Sequence, residues 1–255
     1  MEFKNSPSEK INLKTNRHKA FTLSEVLITL VIIGVVAAIT IPNIFANSQK
    51  EELRTAFMKS YSDLSNFAHL FYADNGISFA EFASENTYEN NYKAMQKYIA
   101  QNYNKNVGKN GWDTDDKYEY IYKRLNGTKG YSICDDIGLY VGPGGRFYWM
   151  NNPPKKGENG PVMCIDTNGE KGPNKYGYDF FVFLFTVDGE VIPMGTEHPN
   201  NPSSESLGYN FSLVGSQYCS KKNSSDMKSN MTCAHYALAD ESPANADESY
   251  WNDFL

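Results

Sequence analysis

Lys19-Ala20-Phe21-Thr22-Leu23-Ser24-Glu25 runs directly into a charge-free apolar block, Val26 to Ile41, and the reading of this stretch decides the fold. Phe21 to Ile41 is 21 residues (41 − 21 + 1). As a helix rising about 1.5 Å per residue it spans roughly 31 Å, the hydrocarbon thickness of a bilayer. One carboxylate, Glu25, stands at the entry to this segment. An acid there is costly unless it meets a partner, so it reads as functional by default. The obvious partner is a cation at the same depth on a neighbouring copy of the chain.

Lys19-Ala20 followed by Phe21-Thr22-Leu23-Ser24-Glu25-Val26-Leu27-Ile28 and a retained apolar helix resembles the class III signal of type IV pilins and type II secretion pseudopilins. The resemblance covers roughly residues 15 to 70. It implies that a prepilin peptidase cuts between Ala20 and Phe21 on the cytoplasmic side and N-methylates Phe21. Glu25 then becomes the fifth mature residue (25 − 20). Pro42 sits where many pilin helices carry a proline. Two positions depart from the family pattern: Ala20 replaces the usual glycine, and Ser24 replaces an aliphatic residue. An ordinary secretory signal also has a basic flank and an apolar core, with Ala37-Ala38 as its cleavage site. A plain single-span anchor has the same length. Neither explains Glu25.

The first 20 residues hold Lys4, Lys10, Lys14, Arg17 and Lys19 against Glu2 and Glu9, a net of 5 − 2 = +3, which keeps the N-terminus cytoplasmic. Removing them takes the formal charge from −6 to −9 (−6 − 3). Such an exterior lacks the clustered cations that grip phosphates, so nucleic acid is not an expected partner. The doublets Lys155-Lys156 and Lys221-Lys222 read as solvated loop charges.

After the membrane stretch 214 residues remain (255 − 41), enough for one sizeable core. Leu53, Phe57, Tyr61, Leu64, Phe67, Ala68 and Phe71 recur at three- and four-residue steps, so the helix continues beyond the bilayer with one apolar stripe. Pro42 should kink or loosen it. Asp74-Asn75-Gly76 stops it, giving a helix from Phe21 to about Asp74, about 80 Å long if straight. Tyr88 to about Tyr103 reads as a second helix, and Asn104 to Asp116 as a linker. Strands are expected at Tyr118–Lys123, Gly138–Val141, Arg146–Met150, Val162–Ile165, Phe180–Val187 and Glu190–Pro193. Asp188-Gly189 signals a two-residue hairpin between the last two. Gly142-Pro143-Gly144-Gly145 reads as a turn, because no phosphate-loop lysine follows it. Gly195 to Leu207 reads as an exposed loop. Asp240 to Leu255 reads as an acidic, mobile tail, with Tyr250, Trp251 and Phe254 available to dock back.

Cys134, Cys164, Cys219 and Cys233 all fall in the exported part, where an even count favours disulfides. Three connectivities exist; Cys134–Cys164 with Cys219–Cys233 closes the shortest loops. No Cys-x-x-Cys or histidine pair builds a zinc site. Catalytic patterns are missing too: His69, His198 and His235 stand alone, and Asp115-Asp116 and Asp135-Asp136 are adjacent residues whose side chains diverge on a strand. One loop offers oxygen ligands, Asp166-Thr167-Asn168-Gly169-Glu170 with Asn174 and Asp179 following. Calcium takes six to eight oxygens from such loops, and the resemblance adds weight because major pseudopilins hold calcium in a C-terminal loop. Against it, no acid closes the loop at an EF-hand position, and Asp-x-Asn-Gly is a common turn, the favoured reading.

The sequence thus reads as an α+β protein in three parts. These are a cytoplasmic leader (1–20), a long helix (21–74) with a transmembrane half (21–41), and an exported domain (75–255) on an antiparallel sheet. The resemblance implies a structural subunit of a pilus-like or pseudopilus filament, not an enzyme. It would sit as a single-pass inner-membrane protein before entering a periplasmic or cell-surface filament. Its implied partners are copies of itself or other pilin-like subunits, the prepilin peptidase, an assembly platform and membrane lipid; calcium aside, no cofactor is implied. The alternatives are a signal-anchored extracellular binding or enzymatic domain and a DNA-uptake minor pilin.

Overall fold

A computed structural model describes residues 21–99, 122–130, 134, 137–141, 143–151, 153–169, 171–201, 213–222 and 229–255. The leader with Ala20, the linker 104–116, Asp115, Asp116, Asp135, Asp136, Gly142, Glu170 and most of the strand expected at Tyr118–Lys123 lie outside the described residues. The chain divides into two compact units, Met1–Ala46 and Asn47–Leu255.

Helix α1, Leu23–Asn75, contributes to both units and runs through Pro42, whose missing amide hydrogen leaves the Ala38 carbonyl without its helical donor. In the first unit its large side chains are exposed, among them Leu23 at 79% and Ile33 at 63%. The segment is long and apolar enough to cross a membrane. Both of its threonine hydroxyls are satisfied internally, Thr29 Oγ1 donating to the Val26 carbonyl at 2.9 Å and Thr40 Oγ1 to that of Val36 at 3.0 Å. That removes the cost of bare hydroxyls in lipid.

In the second unit the expected stripe of α1 is the buried face: Leu53, Phe57, Leu64, Phe67, Ala68 and Phe71 are all within the core. It packs on a five-stranded antiparallel meander of β1 (Ile137–Val141), β2 (Phe147–Met150), β3 (Val162–Asp166), β4 (Phe180–Phe185) and β5 (Val191–Pro193). Phe57 meets Phe181 edge-on at 4.5 Å and stacks on Phe183 at 5.9 Å, while Phe67 meets Phe185 at 5.5 Å. The other sheet face is buried as well, by Tyr122, Tyr176, Met194, Leu213 and Met231 against Trp149, Phe180, Val182 and Leu184. A strand covered on both faces needs no polar alternation, which is why β4 reads Phe-Phe-Val-Phe-Leu-Phe.

Several elements differ from the sequence reading. A short helix, α2 (Phe79–Ser84), precedes α3 (Tyr88–Ile99), and Ser78 caps it by accepting from the Glu81 amide at 3.1 Å. Lys123 forms single bridges with Lys129 and Lys175 in place of the end of a strand. The β4–β5 turn has three residues, not two: the Thr186 amide donates to the Glu190 carbonyl at 2.8 Å, and Gly189 takes φ 87°. A two-residue type I′ turn would need positive φ at Asp188 also, which a side chain resists.

The loop from Gly195 is held, at least to Asn201. Buried Asn159 bonds Asn201 Oδ1 at 2.9 Å and His198 Nδ1 at 2.8 Å, and Gly195 is itself buried. The C-terminal segment is docked, not mobile. Helix α4 (Cys233–Ala239) and a helical turn at Tyr250–Phe254 place Tyr250, Trp251 and Phe254 in the core. Trp251 Nε1 donates to the Ala237 carbonyl at 3.0 Å, and its ring lies 5.6 Å from that of Phe57. The acids that make the segment look solvated face outward around these three anchors. The structure pairs Cys134 with Cys164 beyond the sheet and Cys219 with Cys233 on the helix side.

Phe57 therefore joins α1, β4 and the C-terminal turn. Phe57→Ala in the full chain, held in detergent, is expected to lower stability by about 3–5 kcal/mol in denaturant unfolding. A loss below about 1 kcal/mol would show that α1 is not packed on the sheet as described.

Candidate functional site

The first turn of α1 holds the residues on which the sequence reading converged, and it adds one. Thr22 donates to Glu25 Oε2 twice, from its amide and from its hydroxyl, each at 2.8 Å, while the Glu25 amide donates back to Thr22 Oγ1 at 3.2 Å. This is a reciprocal capping box, in which a Thr and the Glu three residues on satisfy helix-start donors. Thr22-x-x-Glu25 is itself a sequence signature of this cap, which Glu25 taken as an isolated charge does not reveal. Oε2 is engaged by the chain's own N-terminal turn, and Glu25 remains exposed to whatever surrounds the segment. Phe21, at the outer side of the cap, is also exposed. An acid so held is fixed in position, close to the site where a terminal amine would arise after Ala20.

The second candidate is the loop after β3. Asp166 is buried, and its Oδ1 accepts from the amides of Asn168 at 3.1 Å and Gly169 at 2.8 Å, while Oδ2 accepts from Tyr122 at 3.0 Å. Asp179, also buried, accepts from the amides of Asn174 at 2.8 Å and Lys175 at 2.6 Å. Gly169 is required at its place, because a Cβ there would stand 2.1 Å from the Gly145 carbonyl oxygen. Burial, reinforced by the neighbouring Asp179 charge, pushes Asp166 up to about 8. Burial raises Asp179 to about 6.

As donors, these oxygens are of the kind calcium prefers, and Thr167 Oγ1, Asn168 Oδ1 and Asn174 Oδ1 are buried without partners. The carboxylates, however, are already occupied by amide and phenol hydrogens. No cluster of three acidic, histidine or cysteine ligands exists among the described residues, which do not include Glu170. Among the described residues these oxygens supply only part of the set that calcium takes, and Glu170 lies outside them. The carboxylates are satisfied within the turn, whereas the three buried side-chain oxygens are not.

The histidines have structural neighbours. His69 is exposed on α1, His198 lies 3.2 Å from Asp188, and His235 lies 3.1 Å from Thr196 Oγ1. Among the described residues only His235 with Thr196 joins an imidazole to a hydroxyl, and the contact of His198 is to a carboxylate.

Residues 15–41 match the family model described as the prokaryotic N-terminal methylation motif, which is the class III signal of type IV pilins and pseudopilins. The match takes in Ala20, Phe21 and Glu25 and ends one residue before Pro42. No curated protein and no solved structure shows significant similarity to the chain. The motif and the apolar helix together mark a single-pass membrane anchor.

The Asp166 loop makes a prediction about pH. The folded chain holds the Asp166 proton up to about pH 8, whereas an unfolded carboxyl releases it near its ordinary value of 3.8. Its contribution to stability is therefore complete below that ordinary value, declines as pH rises, and is lost above about 8. Asp179 declines in the same direction but is spent by about 6. Between about pH 6.5 and about pH 8.5 the melting temperature should fall in the parent and stay nearly level in Asp166→Asn. An equal fall in both would exclude Asp166 as the cause. Millimolar calcium and chelator are expected to give equal melting temperatures.

Proposed function

We propose that this chain is a structural subunit of a type IV pilus-like or type II secretion pseudopilus filament, assembled through α1 after cleavage between Ala20 and Phe21. The observation that carries the reading is the methylation motif at 15–41 with Glu25 at the entry of an apolar helix whose side chains the described residues leave exposed. In the membrane-held state the N-terminus is cytoplasmic and the globular unit is exported, as the net +3 of the first 20 residues favours. Two disulfides in that unit agree with an oxidising destination. The partners this reading implies are a prepilin peptidase, an assembly platform and other pilin-like subunits.

The mechanism is helix packing in place of turnover. In lipid, the exposed face of α1 is covered by acyl chains; in a filament, neighbouring helices would take their place. Cleavage creates the free amine of Phe21, a cation absent from the uncut chain. Glu25 of one subunit would meet that amine on the next, so that processing becomes a condition for assembly.

Mass spectrometry of the mature N-terminal peptide should find an N-methylated Phe21; a terminus near Ile39, after the apolar run, would overturn the reading. Glu25→Gln and Glu25→Leu should both insert into membranes as the parent does and enter sheared filaments at least about tenfold less, since about 1.4 kcal/mol per contact suffices for that factor. Equal entry of both variants would remove the electrostatic step while leaving the processing signal intact.

A further inference from the structure

The described lysines of the second unit differ in their partners. Lys59, Lys93, Lys156 and Lys171 are each paired with an acid, namely Asp63, Glu89, Glu85 and Glu52. Lys50, Lys123, Lys175 and Lys221 have no acidic partner within ion-pair distance among the described residues. Lys50 and Lys221 both reach carbonyls of the C-terminal turn, and Lys175 lies over Tyr178, whose hydroxyl donates to the Leu255 carbonyl at 3.4 Å. The backbone builds the cluster, since Lys123 bridges Lys175 directly. In a chain of net charge −6, a cluster of four lysines with only the partial countercharge of Asp179 is a net positive patch.

Their neighbours leave the charge in place. Lys50 donates to the Asn252 carbonyl at 2.7 Å and Lys221 to that of Phe254, both in the C-terminal turn. Lys175 lies over the Tyr178 ring at 4.3 Å. Carbonyls and a ring orient the ammonium groups without neutralising them. Of the acids nearby, Asp179 accepts from the Lys175 amide at 2.6 Å and offsets part of that lysine's charge, whereas Asp253 accepts from the Ser249 amide and Glu248 from Asn245. Lys123 and Lys221 are exposed, and Lys50 and Lys175 are half-buried.

We propose that Lys50, Lys123, Lys175 and Lys221 form a surface that rests on the anionic phospholipid headgroups of the bilayer in which the chain is anchored, which presupposes the membrane-anchored reading above. The chain itself selects this occupant. Lys50 follows Ile41 by nine residues (50 − 41), a tether that reaches at most about 32 Å in any conformation, and so keeps the patch near the headgroup layer. Lysines near an anionic membrane surface contribute about 1 kcal/mol each. The cluster would hold the exported unit against the membrane while the subunit waits there, and release it on entry into a filament.

The test uses the full processed chain in vesicles of phosphatidylcholine alone, and of phosphatidylcholine with about one-third phosphatidylglycerol. Vesicle flotation first establishes anchoring. Amine acetylation read by mass spectrometry then follows Lys123, Lys175 and Lys221, with paired Lys93 as the reference. The expected result is labelling about fivefold slower in the anionic vesicles, the factor to which about 1 kcal/mol corresponds, and recovery in high salt. In Lys123→Gln/Lys175→Gln, which spares both lysines that hold the C-terminal turn, protection of Lys221 should shrink. Equal rates in both vesicles overturn the proposal. So does slowing that follows the protein-to-lipid ratio whatever the lipid charge, because a second copy would then be the cover. A chain that fails to float overturns the anchored reading itself, whereas one that floats without charge-dependent protection overturns the lysine surface alone.

Discussion

From Leu23 to Phe45, α1 carries a full turn of apolar side chains that the described residues of its own chain leave exposed. Water does not tolerate such a surface, at about 25 cal/mol for each Å² of apolar area, and a folded monomer rarely leaves a patch of this size bare. The segment must therefore be covered from outside. Beyond Asn47 the same helix obeys the opposite rule: one stripe is buried by the sheet and the remaining faces are largely exposed. One continuous element thus serves two environments, and the second unit is built so that α1 contributes to its core on the far side of the transition.

That core explains why the second unit depends on its C-terminal residues. A sheet with apolar side chains on both faces needs two covers. Phe57, Phe67 and Phe71 of α1 supply one, but helix and sheet alone leave Phe57 and Phe181 with an open flank, which Trp251 fills at 5.6 and 6.0 Å. Tyr250 locks the turn by donating to the Gly177 carbonyl at 2.7 Å, in the segment that leads from the Asp179 loop into β4. Arg54 of α1 holds Asp240 at 3.1 Å, between α4 and that turn. These polar ties are long-range in sequence and specify which end of α1 meets the C-terminus. The rings supply most of the free energy, because partly exposed ion pairs contribute little.

What was legible in the sequence was what depends on local period. The apolar run and the stripe from Leu53 to Phe71 follow from the 3.6-residue repeat, and β4 from a short aromatic run bounded by turn residues. The capping box Thr22-x-x-Glu25 and the N-cap Ser78 are equally local signals, the second opening a helix of only 6 residues. The burial of Asp166 was not legible, since it rests on Tyr122, 44 positions away. Nor was the docking of the C-terminus. Its acids dominate the composition, while its partner Lys50 lies 202 positions earlier.

The capping box bears on how an acid is tolerated at the entry of an apolar helix. A Thr cap of this kind stabilises a helix start by about 0.5–2 kcal/mol, whereas an acid at the centre of a bilayer costs about 2.5–3.5 kcal/mol. Near the helix end the cost is smaller, so the cap offsets much of it and the isolated chain can hold Glu25 without a partner. The offset is incomplete, because neither hydrogen bond to Thr22 brings a countercharge. A carboxylate held in place but not neutralised still gains from a cation placed beside it. On the proposed reading, Thr22 keeps the unassembled subunit stable and keeps Glu25 oriented, and the remaining electrostatic deficit is what a neighbouring amine can remove. A stronger internal partner, such as a lysine one turn away, would satisfy the acid completely and leave nothing to drive association. A weak neutral cap therefore suits a residue that must change partners.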